Sequence, residues 1–62
     1  MPDIGDRVRV TFRDGRTLEG IVEKIYTEYL IYLHVVIRLD SGKTIDLCIN
    51  DVSEGVKCVE TI

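Results

Sequence analysis

Hydrophobic and polar residues alternate one by one along most of this chain, the pattern of strands with one wet face. Val8, Val10 and Phe12 share one side, and Arg7, Arg9, Thr11 and Arg13 share the other. Asp14-Gly15 then interrupts, a hairpin signal, because glycine takes positive φ at no steric cost. The chain returns through Thr17 to Ile25, with Leu18 and Val22 on one face around Gly20 and Ile21 and Ile25 on the other. The simple alternation breaks at this point. A glycine inside a strand marks a sharp bend or a close backbone approach, so a strand bent across two halves of a sheet is expected, buried on both sides near the bend.

A third strand is expected from Leu33 to Asp40, with Leu33, Val35, Ile37 and Leu39 on one face and His34, Val36 and Arg38 on the other. Ser41-Gly42 supplies a second tight turn. A fourth strand runs Lys43 to Ile49, with Ile45, Leu47 and Ile49 alternating against Thr44, Asp46 and Cys48. Asn50-Asp51-Val52-Ser53 has turn chemistry and suits a single 3₁₀ turn. Glu54-Gly55 leads into a last strand, Val56 to Thr61. The join between the second and third strands falls near Thr27–Leu30. Tyr26 to Tyr32 contains no Gly, Pro, Asn or Asp to mark it, and a helical turn through Glu28–Leu33 is the other reading. The expected core is Val8, Val10, Phe12, Leu18, Val22, Val35, Ile37, Leu39, Ile45, Leu47 and Val52.

Five short strands within 62 residues cannot build two well-packed flat sheets. Closing the sheet on itself removes most of the edge problem. The expected fold is therefore all-β: one domain over residues 1–62, a five-stranded, strongly bent, partly open small barrel of the Src-homology-3-like or Sm-like type, with a short 3₁₀ turn before the last strand.

Gly5-Asp6-Arg7-Val8-Arg9-Val10 and Asp14-Gly15-Arg16-Thr17-Leu18-Glu19-Gly20-Ile21-Val22 resemble the first half of an Sm-like domain. They resemble still more the N-terminal barrel that precedes the asparaginase-like region in the archaeal glutamyl-tRNA(Gln) amidotransferase. Val36-Ile37-Arg38-Leu39-Asp40-Ser41-Gly42-Lys43-Thr44-Ile45 is similar to a segment of that barrel. The likeness spans nearly the whole chain and implies a fold. It brings no catalysis, because the asparaginase-like region has no counterpart here. The elements that build the base-binding pocket of Sm-like proteins are replaced by Tyr26-Thr27-Glu28-Tyr29-Leu30 and Cys48-Ile49-Asn50-Asp51, where only Asn50 corresponds, and loosely.

Composition narrows the function. Eight basic against eleven acidic residues give a net charge of −3, which argues against a nucleic-acid packaging protein. No apolar run approaches the roughly 20 residues of a membrane span, and Met1-Pro2-Asp3 does not open a secretion signal. An intracellular, cytoplasmic protein with no membrane contact is expected. The two cysteines, Cys48 and Cys58, are too few for a secreted disulfide framework or, with one distant His34, for a four-ligand metal site. They are read as reduced thiols, with a Cys48–Cys58 bridge as the alternative. No cofactor or metal is expected. No nucleophile with a base and no phosphate-binding glycine loop stands out, so the chain is read as a non-enzyme.

Two surfaces carry candidate chemistry. Arg7, Arg9 and Arg13, with Arg16 in the adjoining turn, form a basic stripe; with Asn50 they are the candidate contacts for an RNA-binding, Sm-like ring subunit with an atypical pocket. The competing reading pairs these arginines with Glu19 or Glu23 across strands. The second surface is Tyr29 to Ile37, which carries no formal charge. Alternate side chains there must leave the core. Tyr29, Leu30, Ile31, Tyr32, His34 and Val36 are therefore expected to form a partner or oligomer surface. The leading expectation is a non-enzymatic module that self-associates, as a homo-oligomer, or docks on a protein partner.

Overall fold

A computed structural model describes residues 2–62. Five strands follow one another: β1 (Arg7–Phe12), β2 (Thr17–Glu28), β3 (Tyr32–Leu39), β4 (Thr44–Cys48) and β5 (Val56–Thr61), with a 3₁₀ turn, Val52–Glu54, before the last. They form one antiparallel sheet in the order β4-β3-β2-β1-β5. The sheet is compact but not closed, leaving β4 and β5 at its two ends. This is the all-β, bent and partly open architecture that the alternation implies. No helix among the described residues is long and apolar enough to cross a membrane.

The long strand β2 makes the curvature possible, since it belongs to both halves of the sheet. Its first half pairs with β1, Val8 opposite Gly20 and Val10 opposite Leu18. Gly20 also faces Leu39 of β3. A Cβ at position 20 would collide with the Arg38 carbonyl oxygen and crowd Ile37 Cγ2 at 2.9 Å. Only glycine lets the two backbones come this close. A bulge follows: Val22 lies opposite Ile37 but Lys24 lies opposite Val36, leaving Glu23 as the extra residue. A bulge bends the strand and shifts its facing by one residue. Val22 therefore points into the core before it, and Ile25 does so after it. Tyr26, opposite His34, turns outward.

Val8, Val10, Val22, Val35, Ile37, Leu47 and Val56 form the buried core, with Phe12, Ile25, Leu39, Ile45, Ile49 and Val59 packed against it. Leu18, expected inside, is half-buried near the end of the first hairpin. Val52, also expected inside, is 81% exposed. The Asp51 carboxylate accepts hydrogen bonds from the Ser53 N–H at 3.0 Å and hydroxyl at 2.8 Å, which holds the 3₁₀ turn with Val52 outward. Gly55, at φ 71°, then steers the chain so that Val56 fills the core. Cys48, on the alternate face to Leu47, is nevertheless buried. Its thiol contacts Asn50 Oδ1 at 3.3 Å and its N–H contacts Glu54 at 3.4 Å. Both cysteines are free thiols, Cys48 buried and Cys58 exposed.

The join between β2 and β3 is a tight turn rather than a helical one. Tyr29 and Leu30 both have positive φ, 54° and 62°, and the Ile31 N–H donates to the Glu28 carbonyl at 3.2 Å.

Val52→Ala separates the observed core from the expected one, with Ile37→Ala, inside in both, as the reference. Ile37→Ala should cost about 2–5 kcal/mol, the range for emptying a packed aliphatic site. Val52→Ala should stay within about 0.5 kcal/mol, as exposed positions do. Urea denaturation of both variants measures the contrast. Gly20→Ala should also destabilise, by about 1–3 kcal/mol of overpacking.

Candidate functional site

Two surfaces were candidates from the sequence, and the structure treats them differently. Most of the basic stripe on β1 is paired. Arg7 grips Asp40 with both terminal nitrogens, at 2.8 and 2.7 Å, and also reaches Glu19 at 3.2 Å. Arg9 meets Glu19 at 2.9 Å. Arg16 meets Asp14 at 2.7 Å and lies over the Phe12 ring, 5.2 Å from its centre. The Arg7 guanidinium holds the Asp40 carboxyl below the usual carboxylate range, and the Arg16 backbone N–H and side chain do the same for Asp14. Arg13 has no carboxylate partner among the described residues. Exposed pairs such as these add little stability. They do leave fewer open cations for a phosphate backbone.

Asn50 is occupied too. Its amide nitrogen donates to the Ile31 carbonyl at 2.6 Å, and its carbonyl oxygen accepts the Leu33 N–H at 2.9 Å. The side chain thus ties the end of β4 to the turn end of the β2–β3 hairpin. The neighbouring Ile49 N–H donates to the Leu33 carbonyl at 3.0 Å.

The uncharged segment divides in two. Its apex stands out: Tyr29 is 80% exposed, Leu30 92% and Ile31 64%. Tyr32 is exposed at the edge, whereas His34 and Val36 are half-buried. The apex has a conformational cost as well as an exposure. A left-handed residue with a side chain is disfavoured by roughly 1–2 kcal/mol, and turns with two adjacent positive φ values ordinarily use Asn-Gly or Asp-Gly. Here they carry tyrosine and leucine.

Below the apex lies a polar cluster that the sequence did not reveal. On the outer face Tyr26, His34 and Cys48 are aligned across three strands. The Tyr26 and His34 rings stack, with centres 4.6 Å apart and planes within 9°. Asp46 receives both polar tips: the Tyr26 hydroxyl donates at 2.5 Å and His34 Nδ1 lies at 2.9 Å. Lys24 Nζ sits 4.9 Å from the centre of the Tyr26 ring. His34 Nε2 is buried and forms no hydrogen bond, although Glu28 Oε1 is 3.3 Å away. With Nδ1 directed at Asp46, a neutral ring has a bare acceptor at Nε2 and gains a donor there only as the imidazolium.

Beside the cluster is an open groove of about 290 Å³, lined by Glu28, Tyr32, His34, Cys48, Asp51 and Glu54. Among the described residues, no group of three or more His, Cys, Asp or Glu side chains is arranged to hold a metal ion. His34 and Asp46 form a histidine–carboxylate pair, but the other ring nitrogen faces Glu28 instead of a hydroxyl or thiol nucleophile. The arrangement can hold and release a proton.

Among known protein families, curated proteins and solved structures, none matches this chain.

The cluster sets a pH dependence. Hydrogen bonding to Asp46 raises the His34 pKa from 6.5, against the opposing effect of burial, with the charges of Asp46 and Glu28 adding to the rise. Hydrogen bonds from Tyr26 and His34 hold the Asp46 carboxyl down, and the hydrogen bond to Asp46 pushes the Tyr26 hydroxyl up to about 12. A raised folded-state pKa stabilises below the unfolded value, and this contribution is lost as pH rises through the folded value. Wild-type melting temperature should therefore carry a component that falls as pH rises past 6.5 through the raised His34 pKa. Asp46→Asn should flatten this component and lower the His34 pKa, read by NMR titration of the ring protons.

Proposed function

We propose that this chain is a non-enzymatic interaction module that docks on a protein, a second copy of itself included, through the apex of the β2–β3 hairpin. One observation carries the reading. Tyr29 and Leu30 occupy the two left-handed positions of a tight turn while standing 80% and 92% exposed. Within the domain these side chains cost conformational energy and bury almost nothing. Strain of this kind concentrates where a site is held ready for another molecule. Ile31 and Tyr32 continue the apolar surface down one side. Tyrosine brings large contact area with only two side-chain torsions to fix on docking.

The paired arginines and the acidic groove support this reading over an RNA-binding one. So does Asn50, whose amide is committed to the turn end of the hairpin.

The double variant Tyr29→Asn/Leu30→Gly gives the turn the residues that its backbone prefers. It should raise stability to urea by about 1–2 kcal/mol through relief of left-handed strain while abolishing association. Light scattering should find wild type above monomer mass and the variant monomeric. If the partner is another protein, a photocrosslinker at Tyr32 should give an adduct with one defined protein, and the turn variant should lose it. A wild type that is monomeric and gives no turn-dependent adduct overturns the proposal. So does an RNA complex whose affinity falls steeply with salt and with Arg13→Glu.

A further inference from the structure

We propose that His34 is a proton-operated latch on the β2–β3 hairpin, closing onto Glu28 when its second ring nitrogen gains a proton. The ring is fixed on two sides. Tyr26 stacks against its face and Asp46 Oδ1 lies 2.9 Å from its Nδ1. Only the Nε2 side is left to change, and there Glu28 Oε1 waits at 3.3 Å without a hydrogen bond. In the neutral ring the Nε2 lone pair repels that carboxylate. In the imidazolium, Nε2–H donates to it, and a charge-assisted bond replaces a repulsion.

Glu28 is the residue through which this reaches the apex. It ends β2, pairs with Tyr32, and supplies the carbonyl that closes the turn over Tyr29 and Leu30. Its side chain is half-exposed and has no partner other than His34 among the described residues. Proton uptake would therefore pin the first corner of the strained turn to the rigid outer face of the sheet. The far corner is already pinned by Asn50 at Ile31 and Leu33.

The charges around the ring are mixed. From β2 come Glu28, Tyr26 and Lys24; from β4 come Asp46 and Cys48; from β3 itself comes Tyr32. Asp51 and Glu54 face the same groove from the 3₁₀ turn and its cap. The two carboxylates nearest the ring, Asp46 and Glu28, favour the charged form. Lys24, beside Tyr26, opposes it. Resting on the reading of the apex as a docking surface, the latch makes docking proton-dependent: a pinned apex loses less freedom on binding and holds a partner more tightly at the acid side.

The latch is tested on the free protein at concentrations where it is monomeric. Ring-proton NMR gives the His34 midpoint, and heteronuclear relaxation gives the order of the Tyr29, Leu30 and Ile31 amides across the same pH series. Apex order should rise on acidification with the midpoint of His34. Glu28→Gln, a change at an exposed side chain, should lower the His34 midpoint and abolish the pH response of the apex. Glu54→Gln, in the same groove, should leave that response in place. Apex order that ignores the His34 titration overturns the latch, as does a response that survives Glu28→Gln. These readouts need no partner. A failed association assay leaves them standing, and a flat relaxation profile leaves the association result standing.

Discussion

The Arg38 carbonyl occupies the space in which any residue other than glycine at position 20 would carry its Cβ. That contact brings β2 and β3 together where β2 is still paired with β1, so one strand serves both halves of the sheet. The bulge at Glu23 completes the bend by turning the facing of β2 by one residue. Val22 and Ile25 can then both join one core despite their odd spacing. The same reversal carries Tyr26 to the outside, beside His34. The polar cluster on the outer face thus follows from the packing solution at the bend.

The strands announced themselves by alternation, and three turns by glycine. Gly15, Gly42 and Gly55 each take a positive φ that other residues avoid. The pairing of the arginines with Glu19 follows the cross-strand rule and was foreseeable, whereas the Arg7–Asp40 grip joins residues whose contact depends on the fold. The β2–β3 turn could be placed only roughly, since tyrosine and leucine occupy positions where turn chemistry would put asparagine and glycine. A bulge leaves no composition signal, so the outward turn of Tyr26 was hidden, and with it the link from Tyr26 through Asp46 to His34. Val52 looked like core because it is the one apolar residue of the expected turn Asn50-Asp51-Val52-Ser53, and pattern alone does not say which way a turn residue faces. Asp51 capping decided otherwise.

The two functional proposals share one design. A domain this small has little stability to spare, yet it holds two exposed apolar residues in a costly backbone state. The groups under that apex are polar and local: Asn50 bonded on one side, and Glu28 beside the ring of His34 on the other. The apolar core lies beneath both. The exposed apex can therefore change its order without disturbing the packing that keeps the domain folded.

Asn50 contributes a peptide-like group from a side chain. Its amide donates to one backbone carbonyl of the hairpin and accepts from a backbone N–H two residues on, as a paired residue of a neighbouring strand would. The sheet gains a rung beyond the last residue of β4 without lengthening that strand, and the main chain is free to turn away into Asp51 and the 3₁₀ segment. The consequence is one of sequence separation. β1 to β4 form a meander of neighbouring hairpins, assembled by short loop closures, whereas β5 must find β1 across almost the whole chain. Contacts between distant parts of a chain form slowly because their entropy is lost before they are rewarded. Asn50 thus sits in the chain between the meander, built from contacts close in sequence, and the one strand pairing that spans almost the whole chain.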